Sequence, residues 1–383
     1  MTRSSLSEWW GKILTFGKNF AGSGPLHRQR LSNIDIRISV SGVRGKSTAV
    51  RWLHEILYSR GYDTYAKVTG IEPLSMYNGT EHEIDRPPKV RLYENERQLR
   101  EFGPVDAAIF ENQGIRSYTT RLVNESFVHP QVIFVTNVRE DHLDTLGRTR
   151  VNIARSLARS VPADTHVICG EQDQTIRSYL EAELRRRDAS ITHVNIPSEH
   201  REIPGAEIVY GLTPVLLAVD EPPLTEAEFD SYLDQMRVSW THLPEGRVYN
   251  AAAVNDPQST ELVRRQLVTG SDEVIQPVLY LREDRQGRTA VFLRYLEVLA
   301  EHGTIEQVRV IGRDAQLFKR HASFPVVVHD ETSESPTQVL DAALADDWPV
   351  ILMGNTVPEF MQELAAAIED RKLETQTAHV GQT

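Results

Sequence analysis

Residues 36–57 hold the pattern with the most chemistry in it. Val40-Ser41-Gly42-Val43-Arg44-Gly45-Lys46-Ser47-Thr48 follows the alternating run Ile36-Arg37-Ile38-Ser39 and opens into a helical pattern from Ala49 to Leu57. A strand, a glycine-spaced turn and a helix N-terminus are the parts of a phosphate cradle. Backbone N–H groups converge on the anion, and the helix dipole favours negative charge. Gly42, Val43, Arg44, Gly45, Lys46, Ser47 and Thr48 are therefore the expected nucleotide contacts. Lys46 is placed to reach the outer phosphates, and the Ser47 hydroxyl to bind Mg²⁺. Val40 stands where the full pattern G-x-x-x-x-G-K-[ST] has its first glycine. The other signals suffice to predict a nucleotide site.

The elements that must position this loop can be read along the chain. Tyr62 to Val68 reads as a second strand, and the polar stretch from Gly70 to Val90 as a loop over the site. Val105 to Phe110 is a buried-type strand ending at Glu111. Gln131 to Thr136 is another, ending at Asn137 and followed by Val138-Arg139-Glu140-Asp141-His142. Helical patterns at 149–160 and 174–187 alternate with short strands at 165–169 and 191–195. This alternation predicts an α/β domain with a mostly parallel sheet and helices on both faces. Ligands bind such sheets at the strand C-terminal ends, where Gly42, Glu111 and Asn137 fall. A carboxylate beside a phosphate loop is a natural Mg²⁺ ligand, because the hard cation prefers oxygen. Glu111 and His142 therefore join Lys46 as catalytic candidates, and Ser47, Glu111 and His142 form the expected metal set.

Composition sets the class. The 383 residues suggest two or three domains, with 40% hydrophobic and 25% charged residues, as in a soluble globular protein. A net charge of −12 argues against nonspecific nucleic-acid binding. The only cysteine is Cys169, so no intrachain disulfide can form and a reducing compartment is expected.

Residues 1–33 differ from the rest. Trp9, Ile13, Phe16 and Phe20 recur at helical spacing, punctuated by Lys12 and Lys18. No run approaches the roughly 20 apolar residues of a membrane span. The stretch reads as an amphipathic helix that lies on a membrane surface, docks on a partner, or packs on its own protein. Ala21 to Ser32, with Gly22, Gly24 and Pro25, reads as a linker. The polar end, 373–383, reads as a flexible tail.

The loop motif, the strand ending in Glu111, and Asn137-Val138-Arg139-Glu140-Asp141-His142-Leu143-Asp144 together resemble the central domain of the Mur ligase superfamily. The likeness is greatest to the ligase subunits of poly-γ-glutamate synthases. Lys67-Val68-Thr69-Gly70, Ala253-Val254-Asn255-Asp256-Pro257 and Arg282-Glu283-Asp284-Arg285-Gln286-Gly287-Arg288 extend it. The resemblance implies a P-loop ATP-binding central domain over 34–245 and a smaller Rossmann-like domain over 246–372. It implies ATP and Mg²⁺ as cofactors, with phosphorylation of a carboxylate and attack of an amine on the acyl phosphate to give an amide, ADP and phosphate. By the family pattern Ser47 and Glu111 hold Mg²⁺ and His142 helps hold a second ion. Arg237 is the inter-domain arginine near the nucleotide, and Asp256 the ribose-binding acid. The charged cluster that holds Arg282 and Arg285 is read either as facing the nucleotide, which makes both expected contacts, or as a solvated loop.

Two departures bear on substrate. Many Mur ligases carry a carbamylated lysine after the metal histidine, whereas this chain has no lysine between Lys89 and Lys319. Before residue 34 there is no room for a UDP-binding domain. Both favour the polyglutamate type. Phe110-Glu111-Asn112-Gln113-Gly114 departs from the glutamate-cysteine-methionine run usual in that type. In the last domain, strands are expected at 248–254, 277–282, 307–311, 326–329 and 350–353, with a helix at 288–302. Three readings follow. The first is a poly-γ-glutamate ligase with glutamate and the growing chain as substrates, sited at the inner face of the cell membrane with membrane-embedded export subunits as partners. The second is a ligase acting on a discrete small molecule. The third is a nucleotide-regulated scaffold without catalysis. A homo-oligomer is compatible with each.

Overall fold

The computed structural model describes residues 24–69, 73–85, 92–112, 117–140, 149–254, 256–268, 270, 273–283 and 286–372. The chain divides into two compact units. The first comprises 1–138, 145–196 and 207–229, and the second 139–144, 197–206 and 230–383. The expected border at 245/246 would cut between two strands that pair with each other, so the break falls earlier in the chain.

The first unit is built on eight strands: β1 (Ile36–Ser41), β2 (Thr64–Val68), β3 (Leu74–Tyr77), β4 (Thr80–Glu83), β5 (Ala107–Glu111), β6 (Val132–Val135), β7 (His166–Cys169) and β8 (Ser190–His193). Their order is β4-β3-β2-β5-β1-β6-β7-β8. From β2 to β8 all neighbours are parallel. β1 lies at the centre, and Ile38 and Val40 are fully buried. Ser39 and Ser41, which alternate with them, are buried as well, as expected of a parallel strand covered on both faces. From β1 the chain crosses to β2 on one side and later continues through β6 on the other. The end of β1 is therefore a topological switch point, where α/β sheets bind ligands.

Helices accompany the sheet: α1 over 24–32, α2 (Lys46–Ser59), α3 (Glu94–Phe102), α4 (Ser117–Leu122), α5 (Arg150–Ala158), α6 (Gln174–Arg185) and α7 (Ala206–Leu217), while α8 (Glu226–Gln235) contains the break to the second unit. Two sequence expectations change here. The stretch taken as a linker is mostly α1, and Leu31 and the following Ile34 pack into the apolar cluster of Tyr65, Phe110 and Phe127. Gly24-Pro25 marks a helix start, since proline in a first turn gives up no internal hydrogen bond. The expected loop over 70–90 contains β3 and β4, an antiparallel extension of the sheet. Asn78 and Gly79 make its turn with φ of 47° and 79°, the doubly left-handed form that matches strand twist.

The second unit has a six-stranded sheet: β9 (Thr241–Leu243), β10 (Gly246–Asn250), β11 (Gln276–Tyr280), β12 (Val308–Ile311), β13 (Val326–His329) and β14 (Val350–Met353). The order is β13-β12-β11-β14-β10-β9, parallel except for the β9–β10 hairpin. Its helices are α9 (Pro257–Leu267), α10 (Gln286–Glu301), α11 (Ala315–His321), α12 (Pro336–Leu344) and α13 (Glu359–Arg371). Two apolar clusters sandwich the sheet, one around Phe292, Leu296 and Phe318 and the other around Leu340, Leu352 and Leu364. No helix among the described residues is long and apolar enough to cross a membrane. The expectations for residues 1–23 and for the tail 373–383 lie outside the described residues.

Candidate active site

The turn after β1 is held in shape by glycines whose backbone conformation and surroundings disfavour any side chain. Gly42 has φ +113°, and a Cβ there would come within 2.3 Å of Thr136 Oγ1. Gly45 has φ +76° and its Cβ would meet Ile208 Cδ1 at 2.1 Å. Backbone conformation and space therefore both demand glycine. Gly45 is the N-cap of α2, which has no side-chain cap and no acidic residue in its first turn. First-turn N–H groups have no acceptor within a helix. With no acidic side chain of its own in that turn, the helix presents a positive terminus suited to phosphate.

Strand β6 braces this turn. Asn137 accepts from Arg44 N through Oδ1 at 3.0 Å. It also donates from Nδ2 to Arg44 O and to Glu207 Oε1, at 3.2 and 2.9 Å. Thr136 Oγ1 donates to Arg44 O at 2.6 Å, and Val43 N to Asn137 O at 3.2 Å. Sequence placed Asn137 among the nucleotide contacts, but its amide is engaged in fixing the loop. Beyond it, Val138 N donates to Glu171 Oε2 at 2.8 Å, and Arg150 joins Glu171 at 2.9 Å. Glu207, Ile208, Arg150 and Glu171 were not legible as site-forming residues. They lie on elements distant in sequence and carry no motif.

Lys46 Nζ donates to Val43 O at 3.2 Å, so the ammonium lies over its own loop. Ser47 Oγ donates to Glu111 Oε2 at 2.9 Å, and the same oxygen accepts Thr69 N at 2.9 Å. Glu111 ends β5 opposite Val40 of β1 and is only 5% exposed. A hydroxyl oxygen and a carboxylate oxygen at this separation fit a Mg²⁺ ion. With metal–oxygen bonds of roughly 2.0–2.1 Å, adjacent ligands of an octahedral ion stand about 2.9 Å apart. His142 and Arg285 lie outside the described residues. Among the described ones no group of three histidine, cysteine or acidic side chains could hold a metal. The described residues thus offer two oxygens, and Mg²⁺ habitually takes its remaining ligands from water and phosphate. Cys169, at the end of β7, is no nucleophile, since burial pushes its thiol up to about 12.

The remaining predicted residues belong to the second unit. Asp256 is 1% exposed and caps α9, accepting from Ser259 N at 2.9 Å and Ser259 Oγ at 2.6 Å. Arg237 forms an exposed pair with Asp234 at 3.1 Å. Arg282 follows β11 and, with Arg288 and Asn355, lines a small pocket at the C-terminal ends of β11 and β14.

Residues 240–371 match the family described as the poly-gamma-glutamate synthase CapB C-terminal domain. The capsule biosynthesis protein CapB of Bacillus anthracis is 24% identical over 288 residues, 70% of this chain and 62% of that protein. The PGA synthase CapB of Bacillus subtilis is 24% identical over 296 residues, 71% of this chain and 75% of that one. The chain thus spans less than two thirds of the B. anthracis protein. Among solved structures, E. coli FolC with ADP aligns with a TM-score of 0.63 at 16% identity, covering 91% of this chain and 93% of that one. The Yersinia pestis bifunctional folylpolyglutamate synthase/dihydrofolate synthase, complexed with AMPPNP and a manganese ion, gives 0.63 at 16% identity over 90% and 91%. MurF from Acinetobacter baumannii gives 0.61 at 14% identity over 91% and 80%. In fold the chain is similar to FolC and MurF, and in sequence it is similar to the CapB proteins, with residues 240–371 matching the CapB C-terminal domain family.

Proposed function

We propose that this chain is an ATP-dependent amide ligase that builds poly-γ-glutamate. A carboxylate oxygen, from glutamate or a growing chain, attacks the γ-phosphorus of ATP and ADP departs. An amino-acid amine then attacks the acyl carbon, and the phosphate leaves with that carboxylate oxygen. The observation that carries the reading is the Ser47–Glu111 pair at the mouth of the phosphate loop. A loop that only bound nucleotide would have little use for a buried carboxylate there.

The residues have separable tasks. The positive end of α2 and Lys46 offset the charge that develops on the transferring phosphoryl group. Ser47 and Glu111 would hold a divalent cation, which supplies further charge neutralisation between phosphates. Asn137, Thr136 and Glu207 keep the loop from moving during transfer. Arg237, Asp256, Arg282 and Arg285 belong to this proposal as nucleotide contacts of the second unit, and His142 as a further metal ligand. The likeness to folylpolyglutamate synthases supports one alternative, glutamate addition to a discrete small acceptor.

The test is to incubate the protein with ATP, Mg²⁺ and single amino acids, measuring ADP release and product mass. Stimulation by glutamate with a ladder of glutamate-spaced masses supports the proposal. A single addition, only when a discrete acceptor is supplied, favours the alternative. ADP formation that persists undiminished in Lys46→Ala removes the loop from the reaction.

A further inference from the structure

The C-terminal turn of α1 borders a cavity of about 230 Å³. Ile34, Leu99 and Val105 form its apolar floor and are 4%, 1% and 5% exposed. Arg30 and Arg100 stand at its rim, 3.4 and 3.5 Å from the same Glu96 oxygen. Two guanidinium charges facing one carboxylate leave the rim with positive charge to spare. An apolar cavity of about 150 Å³ already takes a benzene ring, so this one has room for one large aromatic side chain. The lining suits an indole accompanied by a carboxylate. The ring would lie on the apolar floor with a guanidinium over its face, and the carboxylate beside the surplus charge.

The same chain carries that chemistry in Ser7-Glu8-Trp9-Trp10. Residues 1–23 join α1 directly, so this segment starts at the near end of the helix that leads to the cavity. With a rise of about 1.5 Å per residue, Ile34 lies roughly 15 Å beyond residue 24, well within reach of a returning chain. Trp9, Ile13, Phe16 and Phe20 repeat at helical spacing. A chain that reverses around Gly22 and runs back along α1 brings Trp10 level with Ile34. Its apolar stripe would also cover Leu26, which is 53% exposed on α1. We propose that residues 1–23 fold back onto their own unit, with the Trp10 indole in the cavity and Glu8 at the Arg30–Arg100 rim.

The test uses Asn33→Cys, an exposed position at the cavity mouth, labelled with bimane, which an indole quenches on contact. The one native cysteine is buried, so the label goes to one site. The labelled chain should be several-fold dimmer than the same chain carrying Trp9→Phe and Trp10→Phe, at every protein concentration. Arg100→Glu should restore part of the brightness. Thermal melts of the variants that match the parent show that the unit is folded. Equal brightness with and without the tryptophans overturns the proposal. So does quenching that disappears on dilution, which would place a second copy's tryptophans in the cavity. Quenching lost on adding phosphatidylglycerol vesicles would likewise overturn it in favour of a bilayer.

Discussion

Ser47 Oγ, in the first turn of α2, and Glu111 Oε2, at the end of β5, lie 2.9 Å apart although the residues are 64 positions distant in sequence. The parallel pairing of β1 with β5 creates this relationship, because it sets Glu111 beside Val40 at the strand ends. Under the proposed function these two oxygens would hold the divalent cation.

Glu111→Gln keeps the size of the side chain and removes its charge. Turnover should fall by roughly 100-fold or more, and the Mg²⁺ concentration for half-maximal rate should rise. Thermal stability should change little. A variant that loses stability but keeps its Mg²⁺ dependence would make Glu111 a structural cap.

Gly45→Ala places a methyl group against Ile208 and forces alanine into a left-handed conformation. The expected cost is about 1–3 kcal/mol, read as a lower melting temperature, together with weaker nucleotide binding. Adding Ile208→Ala should recover part of the loss, since it relieves the contact and leaves the torsion strained. Wild-type melting and binding in the single variant would show that the loop is not held as described.

Asn137→Ala removes the amide that joins Arg44 to Glu207. With a net value of about 1 kcal/mol for each of one or two hydrogen bonds, ATP affinity should drop roughly 5–30-fold. Titration calorimetry with a non-hydrolysable ATP analogue measures it. Unchanged affinity would mean that the loop keeps its shape without the brace.

Glu261 gives the second unit a pH signature. Burial alone would push its carboxyl up, but hydrogen bonds from Arg264, Arg265 and Tyr295 hold it at about 2, against an ordinary value of 4.5. Folding therefore favours the ionised form. The contribution is complete above about pH 4.5 and is lost as pH falls toward 2. Solvent around a side chain still 23% exposed reduces it to on the order of 1–2 kcal/mol. Glu261→Gln should lower stability by that amount at pH 7, and the gap should close in acid. A gap that persists at pH 2 would assign the loss to packing.

The fold and the centre of the site were legible because local signals carried them. The strand-turn-helix around Gly42 to Thr48 and the strand ending in Glu111 are continuous stretches with clear periodicity. Asn78-Gly79 is an equally local hairpin signal, but the polar stretch around it has the composition of a loop. Gly24-Pro25 was ambiguous in kind, since the same pair punctuates linkers and opens helices. The Asn137–Glu207 brace and the packing of Ile208 on Gly45 had no local signature. They exist only once α7 is folded against the strand ends. Lys67 shows the same limit. On β2 it is fully buried, pairing with Glu94 at 2.8 Å and Asn95 at 2.6 Å, and nothing in its own neighbourhood announced that partnership.

The central claim is that a carboxylate is activated by phosphorylation at this loop, and the fate of one oxygen atom tests it. Glutamate labelled with heavy oxygen in its γ-carboxylate is incubated with the protein, ATP and Mg²⁺, and the released phosphate is analysed by mass spectrometry. The account predicts one labelled oxygen in each phosphate released with amide formation, and no labelled phosphate from Lys46→Ala. Amide product accompanied by unlabelled phosphate would contradict it, because the carboxylate oxygen would then never have been bonded to phosphorus.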